Sequence, residues 1–219
     1  MSERIAIVTG ASRGIGAAVA EQLATRGWHV VAVARTVGGL EELDDRVKAL
    51  GLPGVGGVTL APMDVTNDDA MRHLCRSVFD RWGRADLWVH AAISAPPMAP
   101  AGSIDAKDAA KAIAVNVSST AAMIPMIEPL LLASDRGTAL FLDDPRAGQK
   151  FFGLYGATKA AQIAMARSWQ AETVQIGPRV LIAEPAPMPT ATRARFFPGE
   201  DRSLLADPRA EAARLCDLI

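Results

Sequence analysis

Cysteine is scarce in this sequence: Cys75 and Cys216 stand far apart among 219 residues, in no metal-like or redox-like spacing. Both thiols are expected to be reduced packing residues. An excess of either charge is also lacking, since 23 Lys and Arg face 24 Asp and Glu for a net charge of −1. Composition therefore gives no reason to expect nucleic acid or an anionic membrane as partner. No apolar run reads as a membrane span, and Met1-Ser2-Glu3-Arg4 leads straight into a short strand with no visible signal peptide; a cytoplasmic protein is expected. Internal repeats, low-complexity tracts and linkers are absent too. What is present is 50% hydrophobic and 21% charged residues, an ordinary globular composition in a chain long enough to bury one substantial core. One domain over residues 1–219 is expected.

The stretch Thr9-Gly10-Ala11-Ser12-Arg13-Gly14-Ile15-Gly16 joins the apolar run Ile5 to Val8 to a helical pattern carrying Ile15, Val19 and Leu23. It reads as strand, glycine turn, helix. In that setting Gly10 lets the strand turn sharply, Gly14 lets a phosphate approach the backbone, and Gly16 lets helix and strand pack closely. Free amides at the helix start then face an anion. The alternative is a turn with no ligand; the strand before and the helix after favour a phosphate cradle to which Ser12, Arg13 and Ile15 also belong.

Further along, Trp28 to Ala34 is a near-continuous apolar run, as expected of a parallel strand covered on both faces. Leu40, Leu43, Val47 and Leu50 recur at helical spacing, 51–57 reads as a turn region, and Val58 to Ala61 as a third strand. Thr66 or Asn67 can cap a helix with apolar face Met71, Leu74, Val78 and Trp82. Leu87 to His90 is a fourth strand, followed by an alanine- and proline-rich loop from Ile93 to Gly102. A long helix is expected from about Asp108 towards Leu132, disturbed by Pro125 and Pro129. Thr138 to Leu142 is a fifth strand, Leu154 to Val174 a helix, and Val180 to Ala183 a sixth strand. This alternation predicts an α/β fold, a Rossmann-like doubly wound parallel sheet of about six strands with helices on both faces.

Ligands of such sheets bind beyond the carboxyl ends of the strands. Arg35 follows the second strand, where an acidic residue would bind the ribose hydroxyls of NAD; a guanidinium suits a 2′-phosphate instead. Arg13 adds a second positive charge from the glycine turn. Either arginine alone reads as a solvated surface charge, but the two together favour NADP(H) over NAD(H).

In Tyr155-Gly156-Ala157-Thr158-Lys159, tyrosine and lysine four apart share one face of a helix. A free phenol ionises near pH ~10, and a neighbouring ammonium favours its phenolate. Lys159 is therefore expected to tune Tyr155 as the acid that protonates a carbonyl oxygen while hydride arrives from nicotinamide.

With Thr-Gly-xxx-Gly-x-Gly at the start and Tyr-xxx-Lys after the fifth strand, nearly the whole chain resembles the short-chain dehydrogenase/reductase family. The run Thr192 to Asp201 is similar to the bacterial YciK-like oxidoreductases within it. The resemblance implies that Asp64, with Val65, contacts adenine, against the alternative of a turn or cap aspartate. It also implies that Asn116 supports a water-linked proton relay, against that of a polar residue at a helix interface. Thr190 would contact the nicotinamide carboxamide, and Lys159 the ribose. A small-molecule substrate and a homodimer or higher homo-oligomer are expected, and no metal.

Three stretches depart from the family's pattern. Asp144 stands where the family has a serine, and no serine lies between Gly137 and Tyr155. An ionised carboxylate cannot donate a hydrogen bond and opposes a tyrosinate; protonated, it could imitate a hydroxyl. His90-Ala91-Ala92-Ile93 replaces Asn-Asn-Ala-Gly, with His90 read as a satisfied structural residue in preference to a titrating one. The chain ends at Leu215-Cys216-Asp217-Leu218-Ile219 before the family's final strand. Two functions follow: an NADP-dependent carbonyl reductase or alcohol dehydrogenase acting on a small or apolar substrate, or a non-catalytic NADP-binding relative with a disabled site. Retention of Tyr155, Lys159, Asn116 and Thr190 together favours the enzyme.

Overall fold

A computed structural model describes residues 3–51 and 54–219. Its strands are β1 (Arg4–Thr9), β2 (Trp28–Ala34), β3 (Val58–Pro62), β4 (Leu87–His90), β5 (Thr138–Leu142) and β6 (Arg179–Ala183). They form one parallel sheet in the order β3-β2-β1-β4-β5-β6. The helices are α1 (Gly14–Thr25), α2 (Val37–Ala49), α3 (Asp68–Trp82), α4 (Ala106–Ile113), α5 (Ser119–Leu132), α6 (Gly153–Glu172), α7 (Ala191–Phe196) and α8 (Pro208–Cys216). The doubly wound α/β sheet expected from the strand–helix alternation is what forms.

Alternating side chains feed a core on each face of the sheet. Ile5 and Ile7 join Met71, Leu74 and Val78 of α3, Ile127 and Leu131 of α5, and Ile163 and Trp169 of α6. Ala6 and Val8 face the other way, onto Val19 and Leu23 of α1, Leu40 and Leu43 of α2, and Leu215 of α8. Covered on both sides, β2 is buried at every residue, which is why its sequence needs no polar alternation. Chain order reverses between β1 and β4, and a crevice opens beyond their carboxyl ends.

Local details refine the sequence reading. Asn67 caps α3, its side-chain oxygen accepting from the Ala70 amide, while the left-handed Gly83 closes the other end. The turn expected over 51–57 falls partly on 52–53, outside the described residues. Pro125 and Pro129 do not break the long helix: both lie inside α5, which is held by the full burial of Met123, Ile127 and Leu131. That packing outweighs the ~3 kcal/mol a helix-interior proline costs. The irregularity sits earlier, in a π turn at Ala114–Ser118 between α4 and α5, closed by the Ser119 amide on the Ala114 carbonyl. Contrary to the expectation that no apolar run reads as a span, the 27 residues Ala106–Leu132 are long and apolar enough to cross a membrane by length and composition. Here that helix packs against α3 and the sheet as a core helix.

Candidate active site

The turn after β1 fits the crevice only because of two glycines. Gly10 has φ +75°, and a Cβ there would lie 2.7 Å from the Ala91 carbonyl carbon at the end of β4. A Cβ on Gly16 would lie 2.3 Å from the Gly10 carbonyl oxygen. The amides of Gly10 and Ala11 are spent on the Val33 carbonyl, at 2.9 and 3.2 Å. Arg13 occupies the N-cap of α1 without a side-chain capping bond. The helix start is therefore uncapped, and Gly14, Ile15 and Gly16 line a cavity of about 280 Å³.

Ser12, Arg13, Arg35, Asp64 and Val65 line that cavity too. Arg35 Nη1 lies 3.8 Å from Asp64 Oδ2, across groups that are both open to solvent. Asp64 Oδ1 accepts from the amide and hydroxyl of Thr66, at 3.0 and 2.8 Å. One oxygen of Asp64 thus closes a turn, and the other faces Arg35.

Tyr155, the only tyrosine in the chain, and Lys159 line the same cavity, a turn apart on α6. The Tyr155 hydroxyl donates to Asp144 Oδ2 at 3.0 Å, and Arg146 Nε donates to Asp144 Oδ1 at 2.8 Å. Asp144 stands two residues past the end of β5. Phe196 and Phe197 also line the cavity; the Tyr155 ring centroid is 4.9 Å from that of Phe196, and Phe152 backs Phe196 at 5.0 Å. The Arg146 guanidinium rests over Phe152 and Phe197 at 5.7 and 5.6 Å. Phe151, just before Phe152, takes a left-handed φ of +69° as the chain turns into α6.

Electrostatics here differ from the sequence expectation. Burial first, then the Asp144 carboxylate, hold the Tyr155 phenol above its ordinary range, with Arg146 opposing. Lys159 does not lower it, because its ammonium is turned to Gln162, with Nζ donating to Oε1 at 2.7 Å. Burial brings Lys159 itself down to about 8, against the raising influence of Asp143 and Asp144.

Asn116 does not line the cavity. Its side chain is spent on Ser94, accepting from the amide at 2.7 Å and donating to the carbonyl at 2.9 Å, and on Thr158 Oγ1 at 3.0 Å. It ties the loop after β4 to α6, so the helix-interface role is the one realised for its side chain. Thr190 lines the cavity and caps α7, accepting from the Arg193 amide at 3.2 Å. His90 is satisfied on both ring nitrogens, by Thr9 at 2.8 Å and Thr120 at 3.0 Å. Arg146, Gln162, Thr120 and Phe152 were missed in the sequence. Two had a readable signal: Arg146 shares a short loop with Asp144, and Gln162 stands three residues after Lys159 on the same helix face. Among the described residues no group of His, Cys, Asp or Glu is placed to hold a metal ion.

Residues 4–201 match the family model described as short chain dehydrogenase, and the chain belongs to that family. Among curated relatives it is 28% identical to an uncharacterized oxidoreductase of Staphylococcus epidermidis, over 97% of this chain and 90% of that one. It is 30% identical to glycine betaine reductase ATRR of Emericella nidulans, over 84% of this chain but only 14% of that much longer protein. A short chain dehydrogenase from Shigella flexneri, solved in complex with NADP, superimposes with a TM-score of 0.84 at 26% identity, covering 95% of this chain and 87% of that one. The oxidoreductase yciK from E. coli gives a TM-score of 0.83 at 27% identity, covering 95% and 85%. The chain is thus an oxidoreductase of short-chain dehydrogenase type, and the alternative of a non-catalytic relative finds no support in these likenesses.

Proposed function

We infer that this chain is an NADP(H)-dependent oxidoreductase that moves hydride between nicotinamide and a small or apolar carbonyl or alcohol, with Tyr155 handling the proton. One observation carries the reading: Tyr155 and Lys159 line the same cavity as the glycine turn, Arg13 and Arg35. The residues present fit the dinucleotide. An uncapped helix start suits a diphosphate, the two guanidinium groups suit a 2′-phosphate, and the turn admits no Cβ at Gly10 or Gly16. Bound there, the nicotinamide supplies the hydride.

This chain's residues would do the rest. Gly14, Ile15 and Gly16 offer the first turn of α1 to the diphosphate; Arg13 and Arg35 hold the 2′-phosphate, Arg35 exchanging its long pairing with Asp64. Asp64 Oδ2 and Val65 border the adenine, Lys159 takes the ribose hydroxyls, and Thr190 the carboxamide. A substrate oxygen displaces Asp144 as acceptor of the Tyr155 hydroxyl, and the phenol donates its proton as the carbonyl is reduced. Proton donation leaves a phenolate, which burial and Asp144 oppose, so the phenol regains its proton before the next turnover. Phe196, Phe197 and Met188, which line the cavity, favour an apolar substrate body. Asp144, balanced by Arg146, is left to accept from a donor group on the substrate.

The test is NADPH oxidation followed by absorbance over a panel of aldehydes, ketones, quinones and imines, beside Tyr155→Phe and Asp144→Ser. Turnover lost in Tyr155→Phe is expected. NADPH that binds with no carbonyl reduced until Asp144 becomes serine would overturn the reading.

A further inference from the structure

Behind Lys159 a line of hydrogen bonds runs into the core. Lys159 Nζ donates to Gln162 Oε1 at 2.7 Å, and Gln162 Nε2 donates to Thr120 Oγ1 at 3.1 Å. The Thr120 hydroxyl donates to the Asn116 backbone carbonyl at 3.1 Å. His90 Nε2 lies 3.0 Å from the same Thr120 oxygen, and His90 Nδ1 lies 2.8 Å from Thr9 Oγ1. These five side chains come from α6, α5, β4 and β1, and none is more than 6% exposed.

Counting hydrogens favours one arrangement. Thr120 has a single hydroxyl proton, committed to the Asn116 carbonyl, so its two lone pairs accept from Gln162 and from His90. Thr9 reaches the Val89 carbonyl only at 3.4 Å, against 2.8 Å to His90 Nδ1, so its proton goes to the shorter contact and His90 carries its own on Nε2. It is neutral, because burial lowers its pKa to about 3, with Lys159 adding to the effect. With Thr120 able only to accept, the Gln162 amide nitrogen must face it and the amide oxygen must face Lys159. A flipped amide would set its NH₂ against an ammonium and leave two buried donors unpaired.

We propose that Gln162 is a positioning residue for Lys159: neutral His90 and Thr120 fix its amide orientation, and its carbonyl holds the lysine ammonium charged and in place on the turn of α6 next to Tyr155. The proposal deepens the function inferred above, since it concerns the lysine assigned there to the ribose, but it stands on groups whose state can be read without turnover. Its chemical consequence is directional. An amide, a hydroxyl and a neutral imidazole give the ammonium no inward proton acceptor that titrates near neutrality, so Lys159 exchanges protons on the cavity side. The other groups acting on it are Asp143 and Asp144 on the loop after β5, which favour the charged form, and the neutral phenol of Tyr155 on its own helix.

The experiment follows the Cε resonance of Lys159 by NMR through a pH titration of the full chain labelled with ¹³C at lysine Cε, assigned by its absence in Lys159→Met. The parent midpoint should lie near 8. Gln162→Leu removes a hydrogen bond to a charged group and should lower the midpoint by about one to two units. Thr120→Val should lower it in the same direction, and Thr120→Ser, which keeps the hydroxyl, should restore the parent value. An unchanged midpoint in a Gln162→Leu protein of parent-like circular dichroism and melting overturns the proposal. Should Gln162→Leu not fold, equal midpoints for Thr120→Val and Thr120→Ser overturn it instead. A parent with no NADPH turnover refutes the proposed reaction while leaving these midpoints to decide the role of Gln162.

Discussion

Replacing Asp144 with asparagine should make Tyr155 more acidic. Asparagine keeps the shape of the side chain and an oxygen 3.0 Å from the phenol, and removes the charge. A hydrogen bond to an ionised partner is worth ~1.5–3 kcal/mol, and one pKa unit is about 1.4 kcal/mol, so the phenol should fall by about one to two units. Loss of the carboxylate also frees the Arg146 guanidinium, whose Nε is 2.8 Å from Asp144, to lower the phenol further. Burial is the larger influence and remains, so Tyr155 should stay above an exposed tyrosine. Because the chain has one tyrosine, phenolate absorbance in the near ultraviolet reports Tyr155 alone. In the parent, phenolate should appear only near alkaline unfolding; in Asp144→Asn it should appear measurably below it. Identical onset in two folded proteins, or a later onset in the variant, would refute the electrostatic account of the site.

Tyr155→Phe should reduce carbonyl turnover by ~10²-fold or more in steady-state assays while NADPH still binds, since the aromatic packing against Phe196 is retained. Arg35→Ala, and more so the double variant with Arg13→Ala, should weaken NADP(H) by about 10- to 100-fold with little change for NAD(H), measured by nucleotide titration calorimetry. Gly16→Ala should destabilise the fold by ~1–3 kcal/mol in urea unfolding, because its Cβ would lie 2.3 Å from the Gly10 carbonyl oxygen. Lys159 gives a pH dependence whose sign is fixed. Its folded pKa of about 8 lies below the ordinary 10.5, so burying its charge is a cost at neutral pH that is relieved as pH rises from about 8 towards 10.5. Over that range the parent should gain up to ~3 kcal/mol relative to Lys159→Met in denaturant unfolding. NADP(H) affinity should fall over the same interval in the parent and not in the variant.

The sheet was legible because its signals are local. An unbroken apolar run such as Trp28 to Ala34 can only be a strand covered on both sides, and a glycine turn between strand and helix fixes where the crevice lies. Tyr155 and Lys159 could be paired because helical geometry places residues four apart on one face. Asp144 was reachable by counting from the end of β5. What the sequence concealed depends on contacts between distant elements. Thr120 meets Gln162 across 42 residues and His90 across 30, so nothing near Lys159 shows that its ammonium is held from behind. For the same reason the balance at the phenol was open: helical spacing brings Lys159 near Tyr155, but it does not say which acceptor the flexible lysine will choose or how deeply the phenol is buried. Asn116 left two roles open in the sequence, because the partners of its side chain, Ser94 and Thr158, come from two other segments.

The π turn at Ala114–Ser118 puts the helix from Ala106 to Leu132 in two reading frames. A π turn holds one residue more than an α turn, so the segment behaves as a helix with a single-residue insertion that was never expelled. Before the join, Asp105 caps α4 and sets the angular phase; after it, Met123, Ile127 and Leu131 set another against the sheet. Asn116 belongs to neither frame. Deleting one residue here would restore a regular helix on paper and rotate one half against the other by about 100°. Either the apolar seats of α5 or the clasp on Ser94 would then be lost. A length change that a surface loop absorbs without effect is, at this point, equivalent to cutting the tie between the β4 loop and α6.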